Sequence, residues 1–249
     1  MMEGEAMGEY ERGSLLALLY DWHNHYRLKR QNEDVRYFKK WLTFYQSTSL
    51  IVVGAGTGRV VKTLASVVSK AVALDKDVHR LKRIQPASIS NLQPVVADIC
   101  TLRTTEQFDL SIVPYSTIQL IPPGEAFLQS IRNIRDSLVT GGKVLIDVST
   151  SFSNRYSQPW QMILEGYCPE LDIVISEWQS VVRHQDCIEL FYRYYDGSTL
   201  LVEEMEIWFF HNHTLLTETI ANLGMHVTRC DCGYGSGIAD HRRIYHISK

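Results

Sequence analysis

An alternation of short apolar runs with helical stretches between residues 50 and 148 constrains the fold of this chain more than any other feature. Runs rich in β-branched residues predict five strands, at 50–53, 71–74, 94–97, 108–113 and 143–148. Helical stretches are predicted between most of them, at 59–69, 78–84 and 126–138. Strands of this length separated by helices indicate a parallel sheet that is covered on both faces.

A different pattern follows residue 150, where aromatic and polar residues alternate with period two. It predicts three strands, at 173–182, 187–195 and 200–210, and Asp196-Gly197 is a hairpin signal between the last two. We therefore predict an antiparallel insert over about 172–210, placed as a lid after the fifth strand. A helix at 214–223 and strands at 225–230 and 242–247 close the chain. Helices are also predicted at 14–30 and after Asp34, which is expected to be an N-cap.

Composition excludes several classes of function. The 249 residues carry a net charge of −3, so there is no basic excess to neutralise a nucleic-acid backbone. Since no apolar run reaches about 18 residues and no apolar leader opens the chain, we predict a cytoplasmic protein without a membrane span. The five cysteines are odd in number and scattered, and the nine histidines lack metal-ligand spacing, so no metal site is predicted.

A glycine-rich loop joins the first strand of the alternating region to its first helix. It reads Gly54-Ala55-Gly56-Thr57-Gly58-Arg59. Glycines permit a sharp turn and a close approach to a ligand, and the helix that follows offers free N–H groups to an anion. The spacing is G-x-G-x-G, whereas a dinucleotide loop needs a glycine at the position of Arg59. A ligand-free strand-to-helix turn is the simpler alternative for the loop alone.

Two aspartates follow the next two strands. Asp75 ends the second strand, where a carboxylate suits the two hydroxyls of a ribose. Asp98 ends the third strand, where a carboxylate suits the exocyclic amine of an adenine. Either residue alone could be a turn or capping aspartate. In doubly wound sheets, however, ligands bind beyond the carboxyl ends of the strands, so the loop and both acids are expected to share one crevice.

Together these residues resemble the class I S-adenosylmethionine (SAM)-dependent methyltransferases, and in particular their small-molecule branch. The glycine loop is similar to the first motif of that superfamily, and Leu138-Val139-Thr140-Gly141-Gly142-Lys143 is similar to its late double-glycine turn. Three positions depart from the pattern: Val52 stands where an acid is often found, Thr140 replaces a proline, and Trp208 stands where many small-molecule members carry an arginine. The resemblance covers roughly residues 18 to 249.

The resemblance implies a Rossmann-like fold with a seven-stranded, mostly parallel sheet, and SAM as the methyl donor with S-adenosyl-L-homocysteine as its product. It implies a single domain over 1–249, made of N-terminal helices (1–45), a SAM-binding core (46–150), the lid insert (151–212) and a final helix with two strands (213–249). The residues expected to bind the cofactor are Tyr20, Gly54, Ala55, Gly56, Gly58, Asp75, Lys76, Asp98, Ile99 and Pro114.

The predicted acceptor site combines the segment after the fourth strand with residues of the insert. The segment after the fourth strand, Val113-Pro114-Tyr115-Ser116, is not the Asp/Asn-Pro-Pro-Tyr signature of enzymes that methylate nucleic-acid bases, so a small molecule is the expected substrate. An aromatic-walled pocket suits a small planar acceptor, although the same aromatic residues could instead pack the insert or form a homodimer. Substrate binding is predicted for Tyr115, Gln119, Trp160, Tyr192, Tyr194 and Trp208. A role in catalysis is predicted for His211, His213 and Tyr115.

The predicted reaction transfers the methyl group of SAM by in-line displacement to a nitrogen or oxygen atom of a small metabolite, with carbon transfer left open. One alternative is a SAM-binding scaffold or partner protein without catalysis, which the hydrophobic Val52 favours. A second alternative is another nucleotide-using enzyme, such as a dehydrogenase or an aminopropyl transferase, and Arg59 weighs against the dehydrogenase.

Overall fold

The computed structural model describes residues 11–27, 32–84, 89–103, 107–235 and 241–249. The chain divides into two compact units. The core unit contains Asn32–Ser153 and Phe209–Lys249, and the insert unit contains Asn154–Trp208 together with the described residues before Asn32. The two predicted N-terminal helices therefore fall in different units. No helix within the described ranges has the length and apolarity needed to cross a membrane.

The core unit is built on a seven-stranded sheet. Its elements are α2 (Glu33–Phe44), β1 (Ser49–Val53), α3 (Arg59–Ala65), β2 (Lys70–Asp75), α4 (Val78–Lys82), β3 (Leu92–Val96), β4 (Phe108–Val113), α5 (Glu125–Asp136), β5 (Leu138–Ser149), α6 (His213–Asn222), β10 (His226–Cys232) and β11 (Arg242–Ser248). The strand order is β10-β11-β5-β4-β1-β2-β3. Strands β1 to β5 pair in parallel, and β11 runs antiparallel to both β5 and β10. The predicted seven-stranded, mostly parallel sheet is confirmed.

Alternate side chains of each central strand enter opposite apolar clusters, which is why the strands are apolar on both faces. In β1, Ile51 and Val53 belong to a cluster that includes residues of α5 and α6. Leu50 and Val52 belong to a second cluster that includes residues of α2, α3 and α4. Both faces of the sheet are thus covered, as predicted. Val52, one of the departures from the motif that the sequence resembles, is fully buried in the second cluster, so its side chain serves packing.

The insert unit combines one helix with a four-stranded antiparallel sheet. The helix is α1 (Arg12–Arg27), and the strands, in order across the sheet, are β6 (Gln158–Cys168), β7 (Ile173–Arg183), β8 (Cys187–Asp196) and β9 (Thr199–Phe209). Apolar residues of α1 pack against the sheet in a cluster with Ile175, Tyr194 and Val202. The end of the predicted first helix, at 28–30, lies outside the described residues.

The predicted antiparallel insert is confirmed, but its sheet has four strands and begins at β6, not near residue 172. Two register shifts in the pairing of β6 with β7 interrupt the period-two pattern of this first strand. Asp34 is not an N-cap: Asn32 holds that position, and Asp34 lies buried inside α2. Its carboxylate is instead used by Arg59, as described below.

A buried histidine in the core unit predicts acid sensitivity. Both ring nitrogens of His246 lie 2.7 Å from phenol oxygens, those of Tyr37 and Tyr45. Burial lowers the pKa of His246 to about 4, although Asp231 acts in the opposite direction. The folded state therefore binds fewer protons than the unfolded state, whose histidine has a pKa of about 6.5. Stability must fall as the pH drops from about 6.5 to 4.

We expect this residue to account for about 3 kcal/mol of unfolding free energy lost across that window, since one pKa unit corresponds to about 1.4 kcal/mol. Urea unfolding at pH 7 and pH 4.5 measures the loss in the wild type and in His246→Gln. The variant should show a clearly smaller loss, with the remainder due to other titrating groups such as His211, whose pKa burial also lowers. Equal losses in the two proteins would contradict the assignment.

Candidate functional site

The glycine loop after β1 adopts the turn that its sequence predicts. Gly54, Gly56 and Gly58 all have positive φ angles, of 71°, 56° and 89°, a region that favours glycine. The backbone N–H groups of Gly54 and Ala55 both donate to the carbonyl oxygen of Leu74, at 2.8 and 3.0 Å, which ties the loop to the end of β2. Helix α3 begins immediately afterwards.

Gly54 tolerates no side chain. A Cβ atom at this position would lie 2.2 Å from the Cγ2 atom of Thr117, and its φ angle is unfavourable for other residues. We expect Gly54→Ala to cost about 2–4 kcal/mol of unfolding free energy, combining backbone strain with steric overlap. Urea unfolding measures the cost.

Gly141→Ala is the matched control for this variant. Gly141 has a similar φ angle of 78°, but a Cβ atom there would meet nothing within 4 Å. The control therefore carries only the backbone strain, of about 1 kcal/mol. If the two variants lost equal unfolding free energy, the close packing of Thr117 on the loop would not contribute to the cost of Gly54→Ala.

The carboxylate of Asp75 is held by the loop and by its own turn. One oxygen accepts a hydrogen bond from Gly56 N at 2.7 Å, and the other accepts one from Asp77 N at 2.9 Å. A carboxylate offers about four acceptor positions, so these two bonds fix its orientation and leave capacity for a ligand. The side chain of Asp77 in turn caps α4 by accepting hydrogen bonds from the backbone of His79 and Arg80.

Asp98 lies just beyond the neighbouring strand β3. Its side chain is exposed and accepts a hydrogen bond from Cys100 N at 2.8 Å. The adjacent Ile99 is buried, and its carbonyl oxygen accepts a hydrogen bond of 2.6 Å from the side chain of Asn133 in α5. Because β1, β2 and β3 are neighbouring parallel strands, the glycine loop, Asp75 and Asp98 all lie at one edge of the sheet.

The turn after β4 is strained and strongly anchored. Tyr115 and Ser116 both have positive φ angles, of 53° and 63°, which are unfavourable for residues other than glycine. The N–H of Tyr115 donates to the Asp147 carboxylate at 2.9 Å, and the N–H of Ser116 donates to the Asp147 carbonyl oxygen at 3.1 Å. Asp147, in β5, therefore holds the turn in its unusual conformation.

Asp147 itself is completely buried and pairs with Arg242, the first residue of β11. Arg242 Nε donates to Asp147 Oδ1 at 2.6 Å, while the same guanidinium donates to Ser116 Oγ at 2.8 Å. Tyr234 Oη donates to the second carboxylate oxygen at 2.6 Å. Burial opposes ionisation of Arg242, but the nearby Asp147 outweighs it and raises the pKa of the guanidinium.

Two arginines also contact the ring of Tyr115. The guanidinium carbons of Arg242 and Arg59 lie 5.2 and 5.9 Å from its centroid, within cation–π range. Arg59, in the first turn of α3, forms a two-point ion pair with buried Asp34, with 2.9 Å between Nη1 and Oδ1. The glycine loop, helix α2 and the Tyr115 turn are thereby linked through charged groups at the same edge of the sheet.

No protein family model matches the chain, and no curated protein matches it in sequence. Its backbone nevertheless superposes on solved structures. A SAM-dependent methyltransferase from Clostridium acetobutylicum gives a TM-score of 0.80 at 11% identity, covering 94% of this chain and 98% of that one. The chain has the class I methyltransferase fold. The sugar N-methyltransferase KedS8 from Streptoalloteichus gives 0.74 at 15% identity, covering 98% and 95%. CalS10 from Micromonospora echinaspora, an amino pentose methyltransferase, gives 0.71 at 12%, covering 91% and 95%.

This methyltransferase fold brings most of the predicted cofactor residues together in the core unit. Asp75 is the last residue of β2. The other predicted residues of the core unit follow the carboxyl ends of β1 to β4: the three glycines, Ala55, Lys76, Asp98, Ile99 and Pro114. Lys76 is exposed, whereas Pro114 is buried and its carbonyl oxygen accepts two hydrogen bonds from Thr117. Tyr20 lies in α1 of the insert unit and is partly buried.

Three other predicted residues line a second region of the core unit. His211, His213 and Gln119 border a cavity of about 370 Å³ near the end of β5, which Tyr115 does not line. The amide of Gln119 is already engaged, because it accepts a hydrogen bond from Ser149 N at 2.7 Å and donates to the carbonyl oxygens of Ser149 and Phe209. Its observed contacts therefore fix the backbone around the cavity.

The predicted substrate residues of the insert unit divide between two faces of its sheet. Tyr192 and Tyr194 alternate with Arg193 in β8 and share one face with Glu177 of β7, whose register partner is Tyr194. Burial raises the pKa of both tyrosines, and nearby carboxylates, Glu177 among them, act in the same direction. Trp160 instead stacks on Arg193, with 4.2 Å between guanidinium and ring, so it lies on the opposite face.

Trp208 is also buried, and its indole donates a hydrogen bond of 3.1 Å to Glu206 within β9. Within the described chain, no group of three or more His, Cys, Asp or Glu side chains is arranged to hold a metal ion. The five cysteines are free thiols.

The sequence-based reasoning missed the Asp147–Arg242 pair. A signal was present, because Asp147 is the only charged residue in the run Val144-Leu145-Ile146-Asp147-Val148, which is otherwise apolar. An acid in a fully buried strand needs a partner or a function. The partner was not identifiable from local pattern, since it lies 95 residues further along the chain.

Proposed function

We propose that this chain is a SAM-dependent methyltransferase that acts on a nitrogen or oxygen atom of a small molecule. The observation that carries the proposal is the 2.7 Å hydrogen bond from the glycine loop to Asp75, with Asp98 at the next strand end. A sharp backbone turn and two carboxylates at one sheet edge fit a nucleoside with a charged substituent.

The residues present fit SAM. The two hydrogen bonds that the Asp75 carboxylate accepts, from Gly56 N and Asp77 N, leave acceptor positions for the two hydroxyls of a ribose. We assign the ribose hydroxyls to Asp75 and the adenine to Asp98 and Ile99, with Ala55, Lys76 and Pro114 as further contacts. Tyr20, which belongs to the insert unit, stays a prediction from the sequence. When bound, SAM supplies an electrophilic methyl group on a sulfonium sulfur.

The residues of this chain would position the acceptor molecule and remove its proton. The Tyr115 turn, held by Asp147 and flanked by Arg242 and Arg59, provides a rigid wall beside the methyl donor. Such positioning is the main requirement for displacement at a carbon that already carries a good leaving group. We assign the removal of the acceptor proton to His211 or His213, with Tyr115 as the alternative.

A small-molecule acceptor is supported by charge and by the similar structures. The net charge of −3 disfavours a nucleic-acid substrate. Two of the similar structures are named for methylation of sugars. The residues that the sequence predicts for acceptor binding remain candidates: Tyr115, Gln119, Trp160, Tyr192, Tyr194 and Trp208.

Calorimetric titration with SAM, S-adenosylhomocysteine and NAD tests the proposal. We expect micromolar binding of the first two compounds and none of NAD. Binding of NAD alone would favour a different nucleotide-using enzyme. The non-catalytic alternative, which the buried Val52 favours, predicts SAM binding without S-adenosylhomocysteine formation on any member of a panel of small amines and phenols.

A further inference from the structure

Arg155 is a half-buried cation of the insert unit that lacks a carboxylate partner. It lies just before β6, and its Nη1 atom donates a hydrogen bond of 3.3 Å to Oε1 of Gln179, in β7. Within the part of the chain that the structure describes, this neutral amide is its one hydrogen-bond partner. A charged group that is withdrawn from water usually acquires an opposite charge or several hydrogen bonds. The guanidinium of Arg155 is therefore largely unsatisfied.

The pKa of Arg155 reflects the same lack of counter-charge. Burial lowers it, the phenol of Tyr192 acts in the opposite direction, and the nearby cation Arg27, in the last turn of α1, adds to the effect of burial. No carboxylate of the described chain contributes to the shift. Two guanidinium groups and a phenol therefore lie close together in the insert unit, and an anion bound there would offset the repulsion of the two cations.

Tyr192 lies beside Gln179 on the inner face of the insert sheet. The two residues are register partners in β8 and β7, so their side chains project from the same face. The phenol oxygen of Tyr192 and the Nε and Nη2 atoms of Arg155 have no hydrogen-bond partner among the described residues. None of the three belongs to the enclosed polar atoms that lack a partner, so all three retain accessible surface. They are donors that a ligand can reach.

The two carboxylates that act on Tyr192 are engaged with other groups. Glu177 accepts a hydrogen bond of 2.6 Å from Nδ1 of His23, and Glu206 accepts one of 3.1 Å from the indole of a tryptophan in β9. Both acids add to the effect of burial in raising the pKa of Tyr192, but neither contributes at Arg155. The acids of this face therefore leave Arg155 without the counter-charge that a bound anion would supply.

We propose that Arg155 and Tyr192 bind an oxyanion group, a carboxylate or a phosphate, of a small molecule. The planar guanidinium can donate from two nitrogens to two oxygens of such a group, and the phenol can donate a third hydrogen bond. The assignment of that molecule as the methyl acceptor rests on the proposed function. It narrows the acceptor to an anionic metabolite whose charge is recognised by the insert unit.

Four single-ring probes test the inference by calorimetry, with and without S-adenosylhomocysteine. They are benzoate, phenyl phosphate, benzamide and benzylamine. Benzamide has nearly the shape of benzoate without its charge, so we expect the tighter of the two anions to bind at least about tenfold more tightly than benzamide. Benzylamine should bind most weakly, and the tighter anion distinguishes a carboxylate site from a phosphate site. Anions that bind no more tightly than benzamide, or no binding of any probe, would overturn the inference.

Substitutions at two arginines separate a specific site from a general effect of charge. Arg155→Met should abolish the preference for the anion, whereas Arg155→Lys keeps the charge without the planar fork and should retain part of it. Arg193→Met is the matched control, because Arg193 lies on the opposite face of the same sheet and pairs with Glu203 at 3.3 Å. The control should leave the anion affinity within about twofold. Equal losses in the two Met variants would contradict the assignment.

Melting temperatures measured without ligand distinguish recognition from a structural role. Because the cation of Arg155 is uncompensated in the free protein, Arg155→Met should melt at the wild-type temperature or above it. Benzoate or phenyl phosphate should raise the melting temperature of the wild type and not that of the variant. A variant that melts lower and keeps the preference for the anion would overturn the inference.

The outcome is distinguishable from that of the proposed function. If S-adenosylhomocysteine binds and the anions show no preference, only the anion site fails. If the anions show the expected preference and S-adenosylhomocysteine does not bind, the anion site stands and the methyltransferase proposal fails.

Discussion

Asp75→Ala is expected to reduce the affinity for S-adenosylhomocysteine by at least about 100-fold. In the proposed assignment, the Asp75 carboxylate accepts two hydrogen bonds from ribose hydroxyls, and the variant would remove both. Each would contribute about 1.5–3 kcal/mol, and every 1.4 kcal/mol corresponds to about tenfold in affinity. It also removes the 2.7 Å bond that holds Gly56 N, so the glycine loop loses its anchor. Calorimetric titration measures the effect.

Two controls separate ligand recognition from loop stability. Asp75→Asn keeps an oxygen that can accept from Gly56 N, and we expect a smaller loss, of about tenfold, from the missing charge. Asp136→Ala removes an exposed acid from the end of α5 and should leave the affinity within about twofold. An Asp75→Ala variant that melts like the wild type and still binds S-adenosylhomocysteine tightly would rule out this carboxylate as the ribose ligand.

The parts of the site that follow from local pattern were predictable from the sequence. β4 was predicted at its observed bounds, and the glycine loop and Asp75 lie at the strand ends where they were expected. These features are predictable because each depends on a few consecutive residues: an apolar run, a set of glycines, or an acid at a strand terminus.

The parts that depend on distant residues were not predictable. β6 was missed because its register shifts remove the alternation that identifies a strand. Asp34 was interpreted as a cap because helix starts favour aspartate, but its partner is Arg59, in another helix. A long-range ion pair between helices has no local signature.

The buried ion pair between Asp147 and Arg242 also joins distant residues and so has no local sequence signature. We expect it to contribute more to stability than the pair between Asp34 and Arg59. Asp147 has no exposed surface, and Arg242 is its single cationic partner among the described residues. We expect Arg242→Met to lower the unfolding free energy by about 3–5 kcal/mol, because it leaves a carboxylate buried with only neutral donors, Tyr115 N and Tyr234 Oη. Urea unfolding at pH 7 measures the loss.

An exposed pair provides the matched control. Arg229 pairs with Asp231 at 2.5 Å, but the arginine side chain is 55% exposed, and Arg229→Met should leave the unfolding free energy close to that of the wild type. In the double variant Arg242→Met with Asp147→Asn, the charge is gone and the amide oxygen still accepts from Tyr115 N, so at least half of the lost stability should return. If Arg242→Met stayed within about 1 kcal/mol of the wild type, Asp147 would not need its partner. The strained conformation of Tyr115 and Ser116 would then have to be maintained by other contacts.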